Sequence, residues 1–183
     1  MDAVQATGRL TKMTNSSFAE RRARHESDFY GWTQEQADIL RGMAGTETRL
    51  DVANWAEEIE DLGRTELRGI ARLLKRAVAH LIKLVLEPES QARDHWFEEA
   101  VAFQGDAAAI CSPEAKQRID VEKIWRLASN EALRILENRG TSTPELPAVC
   151  PLSLDELLVE DFDPKDAIRS LASAIYPANR PAV

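Results

Sequence analysis

Residues 50–88 read LDVANWAEEIEDLGRTELRGIARLLKRAVAHLIKLVLEP, thirty-nine residues in which the only proline is the last. After Gly63, the residues Leu67, Ile70, Leu74, Ala77, Val78, Leu81 and Val85 recur at three- and four-residue spacing. That spacing lays one apolar stripe along a helix and marks it for burial. Charge is divided as sharply. Asp51, Glu57, Glu58, Glu60 and Asp61 fill the first half, and Arg64, Arg68, Arg72, Lys75, Arg76 and Lys83 the second, an order that suits a helix dipole. The pattern predicts a helix from near Thr48 to Leu62, a C-cap or kink at Gly63, and a basic helix over 64–86 that Pro88 stops.

Outward from this stretch the helical signals continue. Thr33-Gln-Glu-Gln36 has the spacing of a capping box and predicts a short helix to about Met43, ended by Gly42 and Gly45. Beyond the turn at 87–90, Trp96, Phe97, Ala100, Val101, Ala107 and Ala108 follow helical spacing, broken by Gly105, and the short connection makes this helix, 95–110, an antiparallel neighbour of 64–86. Ser112-Pro113 reads as an N-cap with proline at the first helical position. It predicts a helix to Asn138 that turns Val121, Ile124, Trp125, Leu127, Ala128, Ile135 and Leu136 inward, with Gly140 at its end. TSTPELPAVCP, residues 141–151, is too proline-rich for a regular element and is expected to lie extended, anchored by Leu146, Val149 and Cys150. Ser153-Leu-Asp-Glu156 is a second capping box opening a helix to about Glu160, and Asp163-Pro164 caps a last one to Ile175. The expected organisation is a mobile or loosely docked segment over 1–26, with a helix around Phe18 to His25, a helical domain over 27–162, and a C-terminal helix with a frayed tail over 163–183. Asp2 to Lys12 shows nothing that would bury or cap, which makes Met13 a candidate start.

Composition bounds the function. With 183 residues, 44% hydrophobic and 30% charged, the chain is long enough to bury a real core. Its net charge of −8 repels nucleic acid and anionic membranes, so binding either would need a segregated basic face. AHLIKLVL, the longest apolar run, falls far below the ~20 residues of a membrane span. MDAVQATGRLTKMT lacks the apolar centre of a signal peptide, and Cys111 and Cys150 form neither a zinc spacing nor a disulfide framework, which together predict a cytoplasmic protein.

Four groups of residues could carry chemistry. Glu57, Glu58, Glu60 and Asp61 place carboxylates at i, i+3 and i, i+4, the arrangement by which bundles offer ligands to metals. No Glu-x-x-His accompanies them, so they are expected to be solvated or to pair with Arg64 and Arg68. His80, His95, Glu98 and Glu99 are the better constellation. A fold at Pro88 sets His80 opposite about residue 97, and two histidines with a carboxylate could hold a divalent transition metal with an open position. Against this, a histidine beside an apolar stripe is ordinarily a hydrogen-bonded packing residue. Asp28, Tyr30 and Trp32, together with Glu57 and Glu58, could line a pocket or interaction surface, although for the aromatic cluster a hydrophobic lid is the plainer reading. Arg64, Arg68, Arg72 and Arg76 form a basic ridge, but interleaved Glu66 and the absence of aromatic readers argue against nucleic acid.

DFYGWTQEQADILR (28–41), LDVANWAEEIEDLGRTE (50–66), LLKRAVAHLIK (73–83), Pro88, Trp96 and CPLSLDELL (150–158), in this order, resemble the bacterial family called domain of unknown function 29. The resemblance covers residues 27–162. It implies an all-helical single-domain fold and brings no activity, substrate, cofactor or catalytic residue. The chain departs from the family pattern at Gln104-Gly105, where a basic residue usually follows the glutamine, and at Trp125, where tyrosine is commoner. The sequence therefore predicts an all-α, single-domain helical bundle built on a long antiparallel helix pair, with a proline-rich loop and short C-terminal helices. Without a nucleophile–base pair or phosphate loop, its expected function is a non-enzymatic interaction module that docks a protein partner or itself and needs no cofactor. The alternative is a metal-dependent enzyme at His80, His95, Glu98 and Glu99.

Overall fold

A computed structural model describes residues 18–45 and 50–177. Expectations for Met13, Thr48 and the tail beyond Pro177 lie outside them. Among the described residues every regular element is helical: α1 Phe18–Ser27, α2 Phe29–Met43, α3 Val52–Leu86, α4 Arg93–Ile110, α5 Pro113–Lys116, α6 Val121–Asn138, α7 Leu154–Leu157 and α8 Pro164–Ile175. The described residues divide into two compact units, one within residues 1–66 and 112–115 and one within 67–111 and 116–183.

In the first unit, Asp28 separates α1 from α2. Its backbone leaves the helical region, and its carboxylate accepts from the Gly31 amide at 3.0 Å, capping α2. Thr33 is thus not a cap, as its spacing predicts, but a buried mid-helix residue whose hydroxyl donates to the Tyr30 carbonyl at 2.7 Å. The capping box loses to an aspartate placed one turn earlier. Nor does Gly63 interrupt the helix: α3 runs for 35 residues without a break. A Cβ at Gly63 would overlap the Thr33 hydroxyl and approach the Tyr30 ring to 3.2 Å. Gly63 is there so that α2 and α3 can cross closely, and the ~1 kcal/mol that a helical glycine costs is the price of that approach.

In the second unit, α3 is buried nearly all round between Ala77 and Val85. Arg76 lies over the Phe103 ring, His80 meets Glu99, and Lys83 lies over Trp96. Numbers rise on one helix as they fall on the other, so α3 and α4 are antiparallel. Lys75 pairs with Glu131, while Glu87 meets Thr141 and Arg139, which sets α6 parallel to α3. α8 packs on α4. The buried Gln104 amide donates to the carbonyls of Leu157 and Val159, both at 3.1 Å, and so ties the end of α7 to α4.

The helix predicted over 95–110 is present as α4 and passes through Gly105 unbroken, since an exposed glycine weakens a helix without ending it. Other expectations from the sequence do not hold. The helix predicted over 113–138 is two helices. Ser112 caps the short α5 by accepting from Ala115 at 3.1 Å, and Asp120 caps α6 afresh by accepting from Lys123 at 2.9 Å. Leu127, Ile135 and Val149 are exposed rather than inward. The proline-rich segment is held instead by polar contacts: the Trp125 indole donates to the Pro147 carbonyl at 2.8 Å, and the Cys150 amide to Glu122 at 2.9 Å.

The capping box at Ser153 is present. Its hydroxyl accepts from the Glu156 amide at 3.2 Å, and the Glu156 carboxylate accepts from the Ser153 amide at 2.7 Å. Ser153→Ala should cost on the order of 1 kcal/mol in urea unfolding. An unchanged midpoint would mean that α7 does not depend on its cap.

Candidate functional site

Two polar clusters and one bare face emerge. The first cluster lies on the α3–α4 seam. His80 Nε2 is 3.0 Å from Glu99 Oε2, and His95 Nε2 is 3.4 Å from the same oxygen. Burial, and then the positive charge of Lys83, push the His80 imidazole down to about 4, outweighing the attraction of Glu99. His80 is consequently neutral at pH 7, and its 3.0 Å contact with Glu99 is not an ion pair. Its Nδ1 is buried with no hydrogen-bond partner. Lys83 is buried as well, which lowers its ammonium from the usual range, and Lys83 and Arg139 both approach the Trp96 ring, at 5.0 and 5.3 Å.

Of the four residues predicted as a metal set, the structure brings together His80, His95 and Glu99, while Glu98 is exposed and makes no part of the cluster. Both imidazoles approach one oxygen of one carboxylate. Among the described residues no group of three or more His, Cys, Asp and Glu side chains is placed to hold a metal ion.

The second cluster, in the first unit, draws together the segments 28–41 and 50–66. Asp28 is buried. Besides capping α2, it accepts from the Ser112 hydroxyl at 2.7 Å, and Arg24 approaches it to 3.7 Å. The Glu66 carboxyl is raised, first by burial and then by the charge of Asp28, and its Oε2 has no hydrogen-bond partner. Of the residues predicted as a pocket or interaction surface, Asp28, Tyr30 and Trp32 part company. Trp32 joins Phe29 and His25 in a ring cluster, with the His25 and Trp32 centroids 4.6 Å apart, whereas Tyr30 faces Gly63 and Asp28 serves as the cap.

The acidic group divides in the same way. Glu60 pairs with Arg41 and Arg64, and Asp61 with Arg64, while Glu57 and Glu58 are exposed. Between these acids lies a face that spacing alone did not single out: Trp55 and Leu62 share one side of α3 at i and i+7, with half-buried Ile59 at its edge. Trp55 is 57% exposed and Leu62 53%. The available signal was their phase, since both lie off the stripe of Val52, Ala56 and Ile70 that is buried.

No match is found among the curated proteins. A family model described as "Domain of unknown function DUF29" matches residues 25–163. Among solved structures, an alpha-helical protein of unknown function from Rhodospirillum rubrum is similar, with 34% sequence identity and a TM-score of 0.75 over 80% of this chain and 96% of that one.

Proposed function

We propose, for a chain that belongs to the DUF29 family, a function read from its own surface: a non-enzymatic helical module that docks a protein partner, or a second copy of itself, through the outer face of α3. The observation that carries this reading is the outward pair Trp55 and Leu62, with half-buried Ile59 beside them. A soluble helix ordinarily keeps its outer face polar, and contiguous apolar area at the surface marks an interaction site. Tryptophan is the residue most enriched among those that dominate binding energy, and the exposed Glu57 and Glu58 beside it supply a polar rim. The bacterial cytoplasm is the setting we propose. Among the described residues no helix is long and apolar enough to cross a membrane, and no disulfide joins Cys111 and Cys150.

Replacing Trp55 with alanine and Leu62 with glutamate tests this. The native chain should self-associate in light scattering or retain a stoichiometric protein from its own cell extract. The double variant should lose that association while its stability moves by no more than about 0.5 kcal/mol, as surface substitutions do. Association that survives the double substitution, or a native chain that is monomeric and retains nothing, would overturn the assignment. In this reading the module takes no cofactor. Stoichiometric zinc, iron or manganese in untagged protein would instead favour a metal-dependent enzyme at His80, His95 and Glu99.

A further inference from the structure

We infer that the groove between α3 and α6, in the second unit, receives a short acidic amphipathic helix of a protein partner. The groove encloses about 390 Å³. Its floor is apolar, formed by Leu67 and Ala71 of α3 and by Ile124 and Leu127 of α6; Leu127 is 42% exposed although helical spacing would turn it inward. Its rim is cationic: Arg68, Arg72 and Lys75 on α3, Lys123 on α6, and Arg118 on the turn before it. Asp120 is the one acid lining it, and its carboxylate is already engaged by the Lys123 amide. Glu131 pairs with Lys75. Arg68, Arg72, Arg118 and Lys123 make no ion pair among the described residues.

The chain as a whole has 31 acidic against 23 basic residues, so this local excess of positive charge runs against its overall balance. Some cations elsewhere, Arg24, Arg41, Arg64 and Arg139 among them, find a carboxylate; Arg68, Arg72, Arg118 and Lys123 of the rim do not, among the described residues. Four uncompensated cations around an apolar floor call for an occupant that brings carboxylates on its flanks and apolar groups beneath. The α3 wall from Leu67 to Lys75 is about 12 Å long, or roughly two helical turns. An amphipathic helix with apolar residues at i, i+3, i+4 and i+7 and acids on either side matches both the length and the chemistry. A nucleic acid strand would match the cations alone, because the groove offers the bases no exposed ring to stack on. The groove shares no residue with the Trp55 face, and either assignment can fail without the other.

The test uses the full chain and a fluorescein-labelled peptide of ~12 residues, about three helical turns. The peptide carries leucines at i, i+3, i+4 and i+7 with flanking glutamates; a glutamine-for-glutamate version, a scrambled version and a single-stranded DNA oligonucleotide of similar length serve as comparisons. Fluorescence anisotropy should show saturable binding of the acidic peptide that weakens as salt is raised. Affinity should fall on the order of tenfold for the glutamine peptide, for the scrambled peptide, and for Arg68→Glu/Arg72→Glu. Leu127→Asp should weaken it similarly. The glutamine and scrambled peptides need no variant to fold, so the inference stays open to refutation if the charge reversals unfold the chain. It is overturned if the acidic peptide does not bind, if the scrambled peptide binds equally well, or if the oligonucleotide binds more tightly and displaces the peptide.

Discussion

Leu81→Ala is expected to lower the stability of this protein by ~2–5 kcal/mol, with Leu74→Ala in the same range. Both side chains are fully buried. Leu81 sits where α3 is enclosed on all sides, with Ala79, Ile82 and Leu84 buried beside it, so no nearby surface can relax into the space that three deleted carbons would leave. Leu81 should therefore be the costlier of the two. Leu62→Ala, on the same helix, provides the internal control. It removes the same atoms from a site that is 53% exposed and should cost under ~0.5 kcal/mol. Urea midpoints at unchanged slope would read all three. If the Leu74 and Leu81 substitutions were as mild as that of Leu62, the stripe that carries them would have to face solvent, and α3 would be rotated about its axis.

The phase of α3 was legible in the sequence. Apolar residues at three- and four-residue spacing located α3 and α4, and the short turn at Pro88 made them antiparallel; counting back from that turn put His80 opposite about residue 97, close to its contact with Glu99. Counting cannot set the rotation of α4 about its own axis, so Glu98 and Glu99 were indistinguishable until tertiary packing chose between them. Gly63 and Thr33 illustrate a second limit. A glycine amid helix formers reads locally as a stop, and Thr-x-x-Gln as a start, yet each is explained by the other across the α2–α3 crossing. Helix boundaries set by one competing side chain are a third: Asp28 and Asp120 each cap a helix that local spacing starts at the Thr33 or Ser112 motif instead. The α3–α6 groove was out of reach for a related reason. It is lined by residues of α3 and α6 that lie about fifty positions apart in sequence, and the side-by-side placing of these two helices, seen in the contacts of Glu87 and Glu131, is set by tertiary packing.

His80 joins this packing to a solution property. The unfolded chain begins to bind a proton at this residue near pH 6.5, whereas the folded chain, in which burial and Lys83 disfavour the imidazolium, does so only near pH 4. Over that window the unfolded state holds more protons, so stability falls as pH falls, and the loss saturates below the folded value. Charges facing the ring from α4 and α6 are His95, Glu99 and Glu131. The side chain is only 12% exposed, so a shift of this size should cost roughly 2 kcal/mol at pH 5 and roughly 3 kcal/mol at pH 4 relative to pH 7. Substitution isolates this contribution, since the other titrating groups are common to the parent and the variants. In both His80→Gln and His80→Leu the difference in stability between pH 7 and pH 4 should shrink by that amount. Sequence reasoning alone expects leucine to be the worse replacement, because it strands the partner of the imidazole. In the structure that partner, Glu99, is 34% exposed and also within reach of His95, while Nδ1 is buried with no hydrogen-bond partner. Leucine removes that orphan and fits beside Phe103, so His80→Leu should match or exceed the stability of His80→Gln at pH 7. Urea titrations of the three proteins between pH 7 and pH 4 decide the matter: parallel stability curves would show that His80 protonates as freely in the fold as outside it.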